Sequence, residues 1–179
     1  MKLVILDRDG TINHDSDQYI KSPAEWRPIE GSLEAIARLT QADYRIVIAT
    51  NQSGIARGLF DTSTLIAIHD TLQRAAAQVG GRIDAFFFCP HAESAACECR
   101  KPKPGMLLEI AQRFNVSLDG VYMVGDARRD LEAAAAAGAK PVLVLTGKGK
   151  KTQKEGKLPP GTAVFADLAA FAEHLTAAP

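Results

Sequence analysis

The sequence has little of three features that often identify a protein's class: excess charge of one sign, cysteine, and long apolar runs. Lysine and arginine together number 21, and aspartate and glutamate also number 21, so the formal net charge is zero. Proteins that bind nucleic acid usually carry a basic excess, because phosphate contacts dominate their affinity. We therefore expect no nucleic-acid partner.

The apolar residues are ordinary in number and are not gathered into long segments. Hydrophobic residues make up 46% and charged residues 23% of the chain, which excludes a disordered, collagenous or coiled-coil protein. No run approaches the roughly 18 apolar residues of a spanning helix, so we expect no membrane partner. The first ten residues, MKLVILDRDG, hold too few apolar residues for a signal-peptide core, which predicts a cytoplasmic protein.

Short apolar runs alternate with longer amphipathic segments, and we expect residues 1–179 to form a single domain. Continuous apolar runs predict buried strands at 3–6, 44–49, 85–88, 121–124 and 142–145, with a weaker sixth at 163–165. Helical periodicity is present at roughly 32–41, 61–79, 104–115, 129–138 and 166–176. This alternation predicts an α/β fold with a doubly wound, mainly parallel sheet covered on both faces.

Polar residues follow the apolar runs directly. Asp7 comes after the first run, Thr50 and Asn51 after the second, Cys89 after the third and Asp126 after the fourth. In parallel sheets, ligands bind outside the carboxyl ends of the strands. We therefore expect these residues to lie together along one edge of the sheet.

The segment Asp7-Arg8-Asp9-Gly10-Thr11 ends the first predicted strand. Two carboxylates two residues apart in extended backbone point to the same side, where their charges oppose each other. A divalent cation relieves that repulsion, and Mg²⁺ prefers such oxygen ligands. The alternative is a strand-end turn with two exposed aspartates.

Three further segments are ambiguous when each is considered singly. Residues 50–53 (TNQS) offer hydroxyls and amides to phosphate oxygens, or they cap a following helix. Residues 100–105 (RKPKPG) place three cations around two prolines, or they form an ordinary basic loop before a helix. Residues 125–130 (GDARRD) add Asp126 to the shared edge, while Asp130 is explained equally well as a favourable charge at a helix N-terminus.

The ordered set of motifs resembles the haloacid dehalogenase (HAD) superfamily of aspartate-nucleophile phosphatases over residues 3 to about 147. The set comprises D-x-D-G-T at 7–11, the threonine at 50, Lys-Pro at 101–102 and G-D-x-x-x-D at 125–130. The resemblance implies a HAD Rossmann-like fold in which Asp7 is the nucleophile and Asp9 the general acid and base. It also implies a catalytic Mg²⁺ held by Asp7, the main-chain carbonyl of Asp9, and Asp126.

The same resemblance implies that Thr50 and Lys101 grip the transferring phosphoryl group. Lys101 is preferred to Lys103 because the family lysine commonly precedes Pro-x-Pro. The physics agrees, since a carboxylate attacks a phosphate dianion only where cations offset the repulsion between the two anions.

A second constellation consists of Cys89-Pro90-His91, a spacer of five residues, and Cys97-Glu98-Cys99. Three thiolates and one imidazole are the right number and type of ligands for tetrahedral Zn²⁺, and no position is left open for water, so we expect a structural zinc. The alternative is three free cysteines and a loop histidine. A disulfide between Cys97 and Cys99 is less favoured than either, because it would close a strained small ring. The expected zinc would pin the loop that begins at Arg100.

The zinc loop and the segment TNQSGIARG at 50–58 narrow the resemblance to heptose-bisphosphate phosphatases. These enzymes remove the 7-phosphate of D-glycero-D-manno-heptose 1,7-bisphosphate during synthesis of the heptose precursor of lipopolysaccharide. Histidinol-phosphate phosphatases share nearly the same loop and are the alternative. A zinc-stabilised, non-catalytic phosphate-binding module is the alternative of another class.

No segment between the motifs is long enough for a cap domain, so we expect a capless enzyme that recognises a phosphorylated sugar with its loops. We expect the enzyme to be a monomer. The second phosphate of such a sugar would pair with an arginine. The candidate substrate-binding residues are Asp15, Gln18, Asn51, Gln52, Ser53, Arg57 and Arg100. Residues 147–161 (GKGKKTQKEGKLPPG) predict a solvated, mobile loop, with a cationic flap near the substrate as the alternative.

Overall fold

The structure is a computed structural model that describes residues 1–177, within which six strands alternate with six helices. In chain order the elements are β1 (Lys2–Leu6), α1 (Ser32–Gln41), β2 (Tyr44–Asn51), α2 (Thr62–Gln78), β3 (Ala85–Cys89), α3 (Gly105–Phe114), β4 (Tyr122–Gly125), α4 (Arg128–Ala137), β5 (Lys140–Val144), α5 (Gly149–Glu155), β6 (Ala163–Phe165) and α6 (Leu168–Thr176). A single 3-10 turn, Pro23–Glu25, interrupts the connection between β1 and α1.

All paired strands are parallel, in the order β3-β2-β1-β4-β5-β6. The chain builds outward from β1 to β3, and then returns to place β4 on the other side of β1, so that β1 and β4 flank the switch point. Leu6 lies opposite both Ile48 and Val124, so β1 and β4 end at nearly the same level, whereas β2 continues three residues further to Asn51. The doubly wound parallel sheet predicted from the sequence is confirmed, including its sixth strand.

Side chains of the central strand alternate between two hydrophobic cores. Leu3 and Ile5 face one core with α3 and α4, whereas Val4 and Leu6 face the other core with α1, α2 and α6. A strand buried on both faces needs a continuous apolar run, which explains the pattern LVIL. Leu168 and Phe171 of α6 are fully buried in the second core, and Leu175 packs against it.

The predicted limits of α2 are close to the observed ones. The Asp61 side chain caps the helix by accepting a hydrogen bond of 2.8 Å from the backbone N–H of Thr64. The helix ends at Gln78, just before Gly80, whose φ of +85° favours glycine. Its buried face comprises Leu65, Ile68, His69, Leu72 and Ala76.

The prediction of a loop throughout residues 147–161 is wrong, because Gly149–Glu155 forms α5. The helix is anchored by Thr152, whose buried hydroxyl donates a 2.8 Å hydrogen bond to the backbone carbonyl of Asp126. At its start, Gly149 packs so closely on the backbone of Val144 that no side chain would fit. Tertiary contacts therefore order a segment whose composition alone favours a loop.

The connections between elements contain no cap domain among residues 1–177. Between β1 and α1 there is only the 3-10 turn, and between β2 and β3 only α2 with its flanking loops. The prediction of a capless fold is confirmed. None of the helices in this part of the chain has the length and hydropathy that a membrane span requires.

Candidate active site

Three aspartates meet at the carboxyl end of the central strands. Carboxylate oxygens of Asp7, Asp126 and Asp130 lie within 4.8 Å of one another, and all three residues are buried. Asp7 follows β1 and Asp126 follows β4, and the two strands are locked in register where the Asp7 N–H donates to the Val124 carbonyl at 2.8 Å. Asp130 is added by the first turn of α4. We refer to these three residues as the carboxylate cluster.

Lys101 places a buried cation inside the carboxylate cluster. Its Nζ lies 2.9 Å from Asp7 Oδ1 and 2.7 Å from Asp130 Oδ1, and it donates to the Ala49 carbonyl at 2.7 Å. Burial alone would lower the pKa of Lys101, but the charges of Asp130 and Asp7 outweigh it and raise that pKa. The ammonium is therefore fixed in its charged form beside Asp7.

The backbone of Lys101 is also held in place. The Asn51 side chain accepts from the Lys101 N–H at 3.1 Å and donates to the Lys101 carbonyl at 3.0 Å. Lys103, by contrast, is exposed and pairs with Glu98 at 2.7 Å. Of Lys101 and Lys103, only Lys101 reaches the carboxylate cluster.

The carboxylate cluster carries more negative charge than Lys101 and the nearby Arg129 offset. Burial, followed by the charge of Asp130, raises the pKa of Asp7 to about 6 against the lowering effect of Lys101. Burial, with Asp130 and Asp7, raises the pKa of Asp126 to about 8. A further cation at this point would stabilise both carboxylates.

Asp126 has one free oxygen and little space around it. Its Oδ2 accepts a 2.7 Å hydrogen bond from the Lys148 N–H, whereas its Oδ1 is buried without a hydrogen-bond partner in the described structure. A side chain at Gly10 or Gly147 would overlap the Asp126 carboxylate, and both glycines have positive φ. A buried, unpartnered oxygen among further carboxylates fits a hard divalent cation such as Mg²⁺.

The Asp9 carboxylate does not join the carboxylate cluster. The sequence argument placed Asp7 and Asp9 on one side by the alternation of an extended strand, but β1 ends at Leu6 and the chain then turns around the Arg8 carbonyl. The Ile12 N–H donates to that carbonyl at 2.8 Å. The alternation of an extended strand therefore stops before Asp9, and its carboxylate faces the Arg8 side chain instead.

Four hydrogen bonds hold the Asp9 carboxylate. Arg8 donates from Nε to Oδ1 at 2.9 Å and from NH2 to Oδ2 at 3.1 Å. Asn13 donates to Oδ1 at 2.9 Å, and Gln52 donates to Oδ2 at 3.1 Å. Burial would raise the pKa of Asp9, but the Arg8 charge and these hydrogen bonds outweigh it and lower that pKa. The carboxylate is thus held in its ionised form.

A second group of metal-binding side chains lies at the end of β3, and we call it the thiol cluster. It comprises Cys89, His91, Cys97 and Cys99, with one ligand atom of each within 4.8 Å of the others. Cys99 Sγ lies 3.0 Å from Cys89 Sγ and 3.3 Å from His91 Nδ1. The cysteines are free rather than disulfide-bonded, and three sulfurs with one imidazole nitrogen fit tetrahedral Zn²⁺.

The thiol cluster is connected to the loops of the site by backbone contacts. The Cys89 carbonyl accepts from the Gln52 N–H at 2.8 Å, and the Glu98 carbonyl accepts from the Gly105 N–H at 3.1 Å. A side chain at Gly105 would overlap the Glu98 carbonyl, so α3 starts in close contact with the loop between β3 and α3 that carries His91, Cys97 and Cys99, which we call the thiol loop. The chain before Lys101 and the chain after it are therefore in contact with each other beside Cys97 and Cys99.

A cleft of about 250 Å³ opens beside the carboxylate cluster. It is lined by six of the seven predicted substrate-binding residues, namely Asp15, Asn51, Gln52, Ser53, Arg57 and Arg100. Gln18 is exposed and does not line it, so its predicted contact with substrate is not supported. The side chains of Asn51 and Gln52 are engaged by Lys101 and Asp9, which makes them supports of the site as well as part of its wall.

The cations of the cleft differ in how firmly they are held. Arg100 NH1 is buried without a hydrogen-bond partner in the described structure, whereas Arg57 is exposed with its guanidinium 5.9 Å from the centre of the Tyr19 ring. Lys148 also lines the cleft, and its Nζ lies 3.4 Å from Asp15 Oδ2. One lysine of the 147–161 segment therefore reaches the cleft, as the flap alternative expects.

Two buried residues of the site are absent from the sequence-based predictions. Asp130 was explained as a charge near a helix N-terminus, yet it also binds Lys101, and its position in G-D-x-x-x-D was the available signal. Arg8 lies between two aspartates and has no exposed surface. Nothing in the sequence indicates that its side chain turns back to bind its own neighbour.

Comparisons with known proteins agree with this geometry. A HAD-hydrolase-like family model matches residues 98–171. The D-glycero-beta-D-manno-heptose-1,7-bisphosphate 7-phosphatase of Bordetella bronchiseptica is 62% identical over 175 residues, which cover 98% of each chain. The enzyme of that name from Pseudomonas putida is 54% identical over 175 residues, which cover 98% of this chain and 99% of its own.

Solved structures give the same answer. The crystal structure of D,D-heptose 1,7-bisphosphate phosphatase from B. bronchiseptica, complexed with magnesium and phosphate, matches with a TM-score of 0.97 and 98% coverage of each chain. The phosphatase of that name from Burkholderia thailandensis is 52% identical, with a TM-score of 0.79 and coverage of 99% of this chain and 100% of its own. Since these relatives share more than half of their residues with it over almost their whole lengths, the chain belongs to the D-glycero-β-D-manno-heptose-1,7-bisphosphate 7-phosphatase family of HAD-like hydrolases.

Proposed function

We propose that this protein is a Mg²⁺-dependent phosphatase that removes the 7-phosphate of D-glycero-β-D-manno-heptose 1,7-bisphosphate, the reaction for which its relatives are named. The role implied is synthesis of the heptose precursor of lipopolysaccharide. The observation that carries the proposal is the buried 2.9 Å contact between Lys101 Nζ and Asp7, beside Asp126, at the switch point of the sheet. Ligands of doubly wound sheets bind at that point.

Asp7 is the proposed nucleophile. One of its carboxylate oxygens attacks phosphorus, the bond from phosphorus to the sugar oxygen breaks, and an aspartyl-phosphate forms. Lys101 offsets the repulsion between the two anions, since one unit-charge contact at ~4 Å and an effective dielectric of ~20 is on the order of 4 kcal/mol. The Thr50 hydroxyl accepts a 2.9 Å hydrogen bond from Gln52 and so has its own proton available for a phosphoryl oxygen.

Magnesium would be held by the carboxylates of Asp7 and Asp126 and by the main-chain carbonyl of Asp9. The buried, unpartnered Oδ1 of Asp126 supports this ligand set, and Asp130 is engaged by Lys101 and by the Ala127 N–H. When bound, the ion neutralises charge on the phosphoryl oxygens and orients the group for in-line attack.

Asp9 is the proposed general acid and base. It delivers a proton to the departing sugar oxygen, and it then takes a proton from the water that hydrolyses the aspartyl-phosphate. The hydrogen bonds from Arg8, Asn13 and Gln52 favour its ionised form, which is the form that activates water. Protonation for the first step requires that substrate binding offsets part of that preference.

The thiol cluster is the proposed site of a structural Zn²⁺. Its three sulfurs and one nitrogen would complete a tetrahedral shell around the ion and would leave no position for a reacting water. Because Cys99 precedes Lys101 by two residues, we propose that the zinc fixes the loop that delivers the Lys101 ammonium. Its contribution to catalysis is therefore positional.

The second phosphate of the substrate is the proposed ligand of Arg100. Arg100 lines the cleft, its NH1 is buried without a hydrogen-bond partner in the described structure, and a guanidinium binds phosphate bidentately. Arg57 is a second, exposed candidate in the cleft, and Lys148 adds positive charge beside Asp15. A monophosphate lacks the group that these cations would bind.

The proposed enzyme acts as a cytoplasmic monomer that binds neither nucleic acid nor membrane. The absence of nucleic-acid and membrane partners is predicted from the zero net charge and the short apolar runs of the sequence. Size-exclusion chromatography with light scattering measures the oligomeric state directly.

The experiment that tests the proposed function compares kcat/KM for heptose 1,7-bisphosphate and histidinol phosphate on purified, Mg²⁺-supplemented protein. We expect the heptose compound to be the better substrate and Asp7→Asn to remove both activities. A preference for histidinol phosphate would replace the substrate while keeping the mechanism. Absence of turnover across a panel of phosphate esters would favour the non-catalytic binding module instead.

A further inference from the structure

Arg8 is buried in a way that the proposed chemistry leaves unexplained. Its side chain has no exposed surface, although a guanidinium carries five N–H donors and is costly to bury without acceptors. Two of those donors bind the Asp9 carboxylate, through Nε and NH2. A third nitrogen, NH1, points away from Asp9 toward α2.

The acceptor for Arg8 NH1 is His69 of α2, whose Nε2 lies 3.3 Å away. The imidazole is fixed in turn by the Phe86 ring of β3, on which it stacks at 4.4 Å between centroids and 15° between planes. Because a guanidinium only donates hydrogen bonds, Nε2 must be the accepting nitrogen and Nδ1 carries the proton. Burial, with the Arg8 charge, lowers the pKa of His69 to about 3 and keeps the imidazole neutral.

We infer that His69, acting through Arg8, is a positioning residue for the Asp9 carboxylate. The neutral imidazole fixes the plane of the guanidinium, and the planar fork of the guanidinium fixes both oxygens of the carboxylate. This inference rests on the proposed role of Asp9 as general acid and base. It assigns a function to a buried histidine that is otherwise one residue of the apolar face of α2.

The remaining contacts of Asp9 predict how large the effect of losing His69 is. Asn13 and Gln52 also hold the carboxylate, at 2.9 and 3.1 Å, so it stays near its place without His69. Arg8 NH1 would, however, be left as a buried donor without an acceptor, and the guanidinium would turn to find one. We therefore expect a misoriented Asp9 and a partial loss of activity.

A role through Asp9 has a signature that a general structural defect does not share. An alkyl phosphate needs its leaving oxygen protonated, whereas an aryl phosphate with an acidic phenol leaves readily without a proton. The ratio kcat/KM reports the steps up to phosphoryl transfer to Asp7. Damage that acts through the acid function of Asp9 must lower kcat/KM more for the alkyl than for the aryl substrate.

The test uses His69→Leu, which removes the acceptor, and His69→Gln, whose side-chain oxygen can occupy the place of Nε2. His174→Leu is the control, because the exposed His174 also lies against a phenylalanine, Phe165 at 5.2 Å between ring centroids, but is on α6 away from the site. The alkyl phosphate of the test is heptose 1,7-bisphosphate. For this substrate we expect His69→Leu to lower kcat/KM at least about tenfold, since a positioned acid–base group contributes about 10²–10⁴-fold. For p-nitrophenyl phosphate the loss should be below about threefold, with inhibition by inorganic phosphate unchanged.

His69→Gln should recover most of the alkyl activity, and His174→Leu should match the wild type. If His69→Leu does not fold, His69→Asn replaces it, because the shorter amide cannot reach Arg8. Equal losses on the two substrates, no recovery with Gln relative to Leu or Asn, or no loss at all would each overturn the inference. With an active wild type and an inactive Asp7→Asn, these results leave the proposed function intact, whereas an inactive wild type would overturn both.

Discussion

The two candidate metal sites of this protein are assembled in different ways. The carboxylate cluster draws its members from the ends of β1 and β4 and from the first turn of α4, and all of them are buried. The thiol cluster takes one residue from the end of β3 and three from the loop between β3 and α3. In the thiol cluster only Cys89 is buried, and His91 is exposed. The sheet builds the first site, whereas the second site is built mainly from one loop.

We expect the two clusters to have different roles: the carboxylate cluster carries out phosphoryl transfer, and the thiol cluster holds the loop that carries Lys101. Removing a group from the carboxylate cluster should abolish or weaken phosphoryl transfer while the sheet and the thiol loop remain in place. Removing the zinc should loosen the loop that carries Lys101, while Asp7 and Asp126 stay where β1 and β4 put them. The following predictions test this separation, beginning with the largest expected effect.

Asp7→Asn should lower kcat by several orders of magnitude, because an amide cannot serve as the nucleophile. The change is nearly isosteric, so the melting temperature and the zinc content should match the wild type. Phosphate release and metal analysis measure the two effects separately. Substantial turnover by this variant would remove Asp7 from the mechanism, and loss of zinc would show that the two clusters are not independent.

Lys101→Met should lower kcat/KM by about 10²–10³-fold, since a contact on the order of 4 kcal/mol is lost and about 1.4 kcal/mol corresponds to tenfold. The matched control is Lys103→Met, two residues away, where the lysine is exposed and binds only Glu98. The control should stay within about twofold of the wild type, as expected for a surface ion pair. Similar losses for the two variants would contradict the assignment of Lys101.

Removal of zinc by a chelator, or Cys97→Ser, should lower kcat/KM about tenfold. In a loosened loop, the Lys101 ammonium would lie beside Asp7 for a smaller fraction of the time. The bond between Arg100 and Lys101 should at the same time become sensitive to trypsin. Limited proteolysis followed by mass spectrometry detects that cleavage, with Asp7→Asn as the control that stays resistant. An unchanged cleavage pattern after complete loss of zinc would show that the loop is ordered without the metal.

Arg100→Lys should have the smallest effect, raising KM for the bisphosphate about three- to tenfold by losing bidentate contact with the second phosphate. For a monophosphate, KM should hardly change, because the group that Arg100 binds is absent. Steady-state kinetics on both substrates measure the difference. A loss of kcat on both would assign Arg100 to the carboxylate cluster rather than to substrate recognition.

Much of the fold and of the carboxylate cluster was predictable because strand ends and polar residues coincide in the sequence. The apolar run ending at Leu6 directly precedes Asp7, and the run ending at Val124 directly precedes Gly125 and Asp126. In a parallel sheet that coincidence fixes the location of the site before any contact is known. Helix α2 was predictable for a similar reason, since Asp61 and Gly80 mark its ends.

The remaining features depend on tertiary contacts that the local sequence does not encode. The sequence offers no sign that Arg8 turns back toward Asp9 and His69, because that geometry follows from the end of β1 at Leu6. The helical structure of α5 likewise depends on the buried hydroxyl of Thr152 against a distant backbone carbonyl. Such contacts appear only after the elements have packed.

The most direct test of the central claim is to trap the covalent intermediate. Enzyme quenched during turnover with Mg²⁺ and substrate is treated with borohydride, which reduces an acyl phosphate to the alcohol, and the modified peptide is mapped by mass spectrometry. We predict homoserine at position 7, formed only when substrate is present. An unmodified Asp7 under conditions of steady turnover, or modification at a different residue, would contradict the account.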